Sequence, residues 1–148
     1  MFNEDVLDFI KIKEELASHC SSIIAKEMAL ALEPMTNREK IQEALDETAE
    51  ALRSWQTEIE QPLGGTRDIR ESCKKSRKDF VLSREAIWDV YITIGAYKRM
   101  AKFFRAKYME YPLLSLWMQD MPNMDRVEHR LKRVFDDKGE LLDTASPK

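Results

Sequence analysis

Only four glycines and five prolines punctuate the 148 residues, and that scarcity of turn-formers constrains the fold more than any other feature. An all-β domain needs many turns, each usually marked by Gly, Pro, Asn or Asp. The stretches between the breaks are rich in Ala, Leu, Glu, Lys, Arg and Met, which lose little side-chain freedom in a helix. The expectation is an all-α chain: one multi-helix bundle over residues 1–148, a single helical domain of ordinary size.

Periodicity and caps divide that bundle. A first helix is expected from Glu4 to His19, with Val6, Phe9, Ile10, Leu16 and Ala17 on its apolar side. Ser21 or Ser22 can cap a second, Ile23 to Leu32, by accepting an orphan amide proton of its first turn. Thr36 and Glu39 read as a capping box for a long third helix. Its apolar face, Ile41, Leu45, Thr48, Leu52, Trp55 and Ile59, recurs at steps of four and three as far as Glu60. After Pro62-Leu63-Gly64-Gly65, Thr66 is expected to cap a short basic helix, Arg67 to Arg77. Ser83 opens a long central helix with Ile87, Val90, Tyr91, Ile94, Tyr97, Ala101, Phe104 and Tyr108 on one stripe. Trp88, Ile92 and Phe103 form a second stripe, so neighbours are expected on two sides. Shorter helices follow at Leu113–Gln119 and Met124–Val134, and a turn around Gly139 suggests a small β-hairpin near the C-terminus.

Catalytic chemistry finds no foothold. The two histidines, His19 and His129, lack the Glu-x-x-His partners of a helical di-iron site. Cys20 and Cys73 belong to no Cys-His arrangement and are too few for a disulfide framework. Gly64-Gly65 satisfies neither the phosphate-loop nor the dinucleotide pattern and reads as a tight turn. No catalytic residue, metal site or cofactor is expected in this chain. The acidic N-terminus lacks the charge of a signal peptide, and the longest apolar run falls far short of a membrane span. The expected compartment is the cytoplasm, with no membrane partner.

Charge is the most functional-looking feature. Residues 1–60 carry fourteen acids against six bases, and residues 61–133 carry sixteen bases against nine acids. Arg67, Arg70, Lys74, Lys75, Arg77 and Lys78 crowd the short helix. Lys98, Lys102 and Arg105 make a row along the central helix, and Arg126, Arg130 and Arg133 a third. The candidate nucleic-acid-binding residues are thus Arg70, Lys74, Arg77, Lys98, Lys102, Arg105, Arg126, Arg130 and Arg133, since such rows can meet phosphates. The plainer reading is of solvated helix faces paired with the acidic part of the chain.

Four stretches together resemble one family. They are Leu7-Asp8-Phe9-Ile10-Lys11-Ile12, Glu47-Thr48-Ala49-Glu50-Ala51-Leu52, Pro62-Leu63-Gly64-Gly65-Thr66-Arg67-Asp68-Ile69-Arg70, and Gly139-Glu140-Leu141-Leu142-Asp143-Thr144-Ala145-Ser146-Pro147. Tyr111-Pro112-Leu113-Leu114 also fits, and Lys78-Asp79 stands where the family usually has a glycine-containing turn. In order and spacing the chain resembles the N-terminal segment of the second bacterial MutS family, the mismatch-repair-like paralogues. The resemblance implies a helical core that continues into a lever, a clamp, a dimerising ATPase and usually a small nuclease domain. It implies ATP and magnesium in the parent, a homodimeric parent, and DNA or ribosomal RNA as its partner. The ATPase and nuclease lie outside this chain, whose expected role is a non-catalytic scaffold transmitting ATPase changes to a nucleic-acid clamp. The alternative is a free-standing helical adaptor that binds another protein.

Overall fold

A computed structural model describes residues 8–58, 64–136 and 139–142. The expected start of the first helix at Glu4, Val6, the Ile59–Glu60 helix end, Pro62-Leu63 and the tail from Asp143 lie outside the described residues. Seven helices account for the described architecture: α1 (Phe9–His19), α2 (Ile23–Leu30), α3 (Arg38–Thr57), α4 (Arg70–Ser76), α5 (Arg84–Ala106), α6 (Pro112–Trp117) and α7 (Asp125–Lys132). The chain is all-α. Of the expected hairpin, the described residues contain one antiparallel bridge, Phe135 to Leu141, around Gly139.

The molecule divides into two compact units, Met1–Asp46 and Glu47–Lys148. In the first, α1 packs on α2 with Ala17 and Ala29 buried, small side chains that let two helices approach closely. Ser22 Oγ accepts from the Ala25 amide and caps α2. The cap of α3 is one residue later than expected. Asn37 Oδ1, not Thr36, accepts from the Lys40 amide, and the helix begins at Arg38. Asparagine outranks threonine at this position because its side-chain oxygen reaches the exposed amides without a β-branch.

In the second unit α5 is the axis, contacted by α4, α6 and α7. Ser83 Oγ accepts from the Ala86 amide to start it. Ile94, Ala96, Ala101 and Phe104 are buried, whereas Tyr97 and Tyr108 of the expected stripe remain largely exposed. At its N-terminal end Phe135 packs edge-on against Trp88, with ring centroids 5.2 Å apart, and stacks on Tyr91 at 6.5 Å. Gly139 has φ +81 and lies so close that an added Cβ would stand 2.7 Å from the Trp88 ring.

Thr66 caps nothing. Residues 64–69 run without helical structure and α4 begins only at Arg70. The Arg67 amide instead donates to Thr93 Oγ1 of α5. Tertiary hydrogen bonding therefore draws this stretch out of the helix that its composition favours. At the other end of α4, Asp79 has φ 56. Its amide donates to the Ser76 carbonyl and that of Phe80 to the Lys75 carbonyl. This is the Schellman closure, with aspartate in the left-handed position where glycine is usual.

The C-terminal half of α3 departs furthest from expectation. Its predicted apolar face is exposed: Leu52 at 55% and Trp55 at 67%. The buried positions are Glu50 and Ser54. Glu50 Oε1 accepts from the Leu114 amide at 2.8 Å, satisfying an orphan N–H in the first turn of α6. Arg53 donates to the Glu110 carbonyl, and Glu58 accepts from Tyr111 Oη and from Lys107. Ser115 Oγ, fully buried, lies 2.7 Å from the Phe104 carbonyl and 2.6 Å from that of Tyr111, tying α6 to the end of α5. A polar set thus fastens the end of α3 to the α5–α6 corner, where the heptad-like pattern pointed to an apolar one.

Candidate nucleic-acid interface

The three basic rows meet different fates. Next to α4, Arg70 turns back on Asp68, with a nitrogen 2.6 Å from Oδ2, and Lys74 pairs with Glu71 at 2.7 Å. Hydrogen bonding from Arg70 holds the Asp68 carboxyl down to about 2, and Lys74 lowers that of Glu71. Arg77 and Lys78 are exposed, with no ion pair among the described residues, and Lys75, also exposed, adds its charge to that of Lys74 on Glu71. Arg67 lies 3.9 Å from Asp89, a loose surface pair.

On α5, Lys98 is already engaged. It donates to Asp125 at 2.6 Å and to Glu128, so it binds α5 to α7. Those two bonds raise the Lys98 ammonium above its ordinary value, and Lys98 in turn lowers Asp125. Lys102 and Arg105 stay exposed and line a cleft of about 760 Å³ between α5 and residues 121–128. One Arg105 nitrogen donates to the Met118 carbonyl at 2.7 Å.

Arg126 lines a different depression, with Tyr91, His129 and Lys132. Arg130 and Arg133 are exposed and line neither recess. What α7 contributes to the α5 cleft is therefore acidic, Asp125 and Glu128, and not its arginine row.

One cation in the cleft escaped the sequence reading. Arg99 is exposed on the cleft wall beside Lys102 and Arg105. A Cβ at Gly65 would stand 3.3 Å from one guanidinium nitrogen and a Cβ at Gly95 3.4 Å from the other. The two glycines thus lie beside the guanidinium. Reading the α5 row in steps of three, 99, 102 and 105, instead of four and three from Lys98, would have found it. Only the fold, however, brings Gly65 to Arg99.

Among the described residues no group of three His, Cys, Asp or Glu side chains is placed to hold a metal. The glycine pair does not open onto a helix N-terminus, so it forms no phosphate loop. No described helix is long and apolar enough to cross a membrane.

Fold and surface together define an all-helical segment whose chemistry is packing and charge. Comparison with known proteins places that segment. The chain is 32% identical over 144 residues to the Endonuclease MutS2 of Geobacillus sp. (strain WCH70) and 30% over 145 to that of Shouchella clausii (strain KSM-K16). It is 34% identical over 143 residues to that of Geobacillus kaustophilus (strain HTA426). Each match covers 95% of this chain but only 18% of the relative. No family profile matches the chain. It resembles an N-terminal segment of these MutS-family proteins and spans less than a fifth of their length.

Proposed function

We propose that this chain works as the N-terminal scaffold of a MutS-like ATPase, relaying nucleotide-driven changes to a clamp on branched DNA or ribosomal RNA. The observation that carries this reading is the span of the similarity: 95% of this chain against 18% of each relative. The exposed Leu52 and Trp55 support it, because neighbouring apolar side chains on one helix are the kind of surface that further helices of a core would cover. ATP and magnesium belong to the remainder of such a protein, which would act as a cytoplasmic homodimer. Its nuclease would likewise lie elsewhere. Within this segment α5 and the polar corner of α3, α5 and α6 provide the rigid body, and the basic surface contributes secondary phosphate contacts.

The test is the mass of the native gene product in its source cells, read with an antibody raised to this chain. A species several times heavier than 17.4 kDa is expected. A species of 17.4 kDa would transfer the exposed α3 stripe to a free-standing helical adaptor, which uses it to dock another protein.

A further inference from the structure

We infer that the cleft wall formed by Arg99, Lys102 and Arg105 is a phosphodiester-binding track for a nucleic-acid strand, with Lys98 excluded from it. Three observations carry this. First, the charges share one cleft wall: positions 99, 102 and 105 rise about 9 Å along α5 while winding about 120° around it. That length spans three to four successive phosphates of one strand, spaced about 3.4 Å along the helix axis of a duplex.

Second, the track is not neutralised from within. Among the described residues, Arg99, Lys102 and Arg105 have no acidic partner; Arg105 donates only to a backbone carbonyl. The two acids of the cleft, Asp125 and Glu128, are both taken up by Lys98. That pairing does two things at once. It withdraws the fourth cation, and it offsets one of the two carboxylate charges, so that the three free cations face a single net negative charge.

Third, the Arg99 guanidinium is exposed on the cleft wall and lies against two residues without side chains, Gly65 and Gly95. A planar guanidinium presented this way is suited to two-pronged phosphate contact. The paired cations beside α4, Arg70 and Lys74, have none of these properties.

This deepens the proposed function by assigning a contact surface to the scaffold, and its test is independent of the native mass. The whole chain is titrated into fluorescein-labelled single-stranded RNA, single-stranded DNA and duplex DNA between 50 and 200 mM salt, as a range of the order where phosphate contacts are resolved. Binding is expected to weaken with salt at a log–log slope of about −2 for single strands and about −3 for the duplex, as three neutralised phosphates require. R99Q/K102Q, which spares the Arg105–Met118 bond, is expected to lose on the order of tenfold affinity and to flatten the single-strand slope by about 1.4. R70Q/K74Q, removing the same charge from paired residues, is expected to lose less than about threefold. Circular dichroism on both variants checks that the helices are retained.

Three results would overturn the track: no salt-dependent binding, equal losses in the two variants, or polyglutamate competing as well as nucleic acid at matched charge. The relative strength of the RNA and DNA arms identifies which strand it serves. Should the native protein prove to be 17.4 kDa while R99Q/K102Q still loses binding selectively, the scaffold reading falls and the track stands.

Discussion

Helices α3 and α5 have equally clear apolar periodicity and opposite outcomes. On α5 the patterned residues Ile94, Ala101 and Phe104 are buried, because α4, α6 and α7 close over them. On α3 the patterned Leu45, Leu52 and Trp55 face outward, and Glu50 and Ser54 are buried instead. Periodicity reports that a helix has an apolar face; it does not report whether this chain contains the surface that covers it. α3 is fastened by hydrogen bonds to specific backbone groups, α5 by area removed from water.

The sharpest way to break that comparison is to truncate one residue on each helix. Phe104→Ala should cost about 4 kcal/mol of folding stability, read by urea denaturation, since it opens a cavity in the α5 core. Trp55→Ala should change stability by less than about 0.5 kcal/mol, despite removing the larger side chain. A large loss from Trp55→Ala would mean that the stripe is covered in the folded chain.

A somewhat smaller effect is expected beside α5. Gly139→Ala forces a left-handed φ on alanine and drives its Cβ into Trp88, so about 3 kcal/mol should be lost. Fluorescence of the Trp88 environment should shift with it. If Gly139→Ala melts like the parent chain, the Phe135–Trp88–Tyr91 cluster is not part of the α5 core.

The polar fastening of α3 should show next. Glu50→Ala removes the acceptor of the Leu114 amide and leaves that half-buried N–H unpaired, costing about 1 kcal/mol. Hydrogen exchange at Leu114 should accelerate more than at Ile94. Equal acceleration at both would mean that Glu50 serves general packing and does not cap α6.

The smallest effect concerns pH. Bonds from Lys107 and then Tyr111 lower the Glu58 carboxyl below its ordinary 4.5. A lowered carboxyl stabilises the folded chain above its unfolded value, and that stability is lost as pH falls through the lower, folded value. The difference in melting temperature between the parent chain and Glu58→Gln should therefore be present at neutral pH and shrink below about pH 4.5. A difference that persists unchanged into acid would remove the ion pair from the α3 fastening.

Much of the architecture was legible because it rests on local rules. Ser22 and Ser83 start helices where short-range capping chemistry permits, and Pro112 starts α6 because a missing N–H costs nothing at N1. Where two caps compete, as at Thr36 and Asn37, pattern alone misplaced the start by a residue. The candidate site was half legible. Its basic rows are written in the chain, but the distinction between Lys98 and its neighbours depends on Asp125 and Glu128, about thirty residues away. The approach of Gly65 to Arg99 is likewise made only by the fold.

The sequence by itself determined that this chain is helical, where most of its helices run, and that it resembles the N-terminal segment of MutS-family proteins. Those follow from interactions within four residues along the chain and from motif order, both of which are one-dimensional. Only the tertiary structure decided which apolar stripe is covered, which cations keep their charge available, and that α3 is held by carboxylates and not by its leucines. Each of these depends on a partner brought from far along the chain, and burial or pairing changes the free energy of a side chain only once that partner is in place.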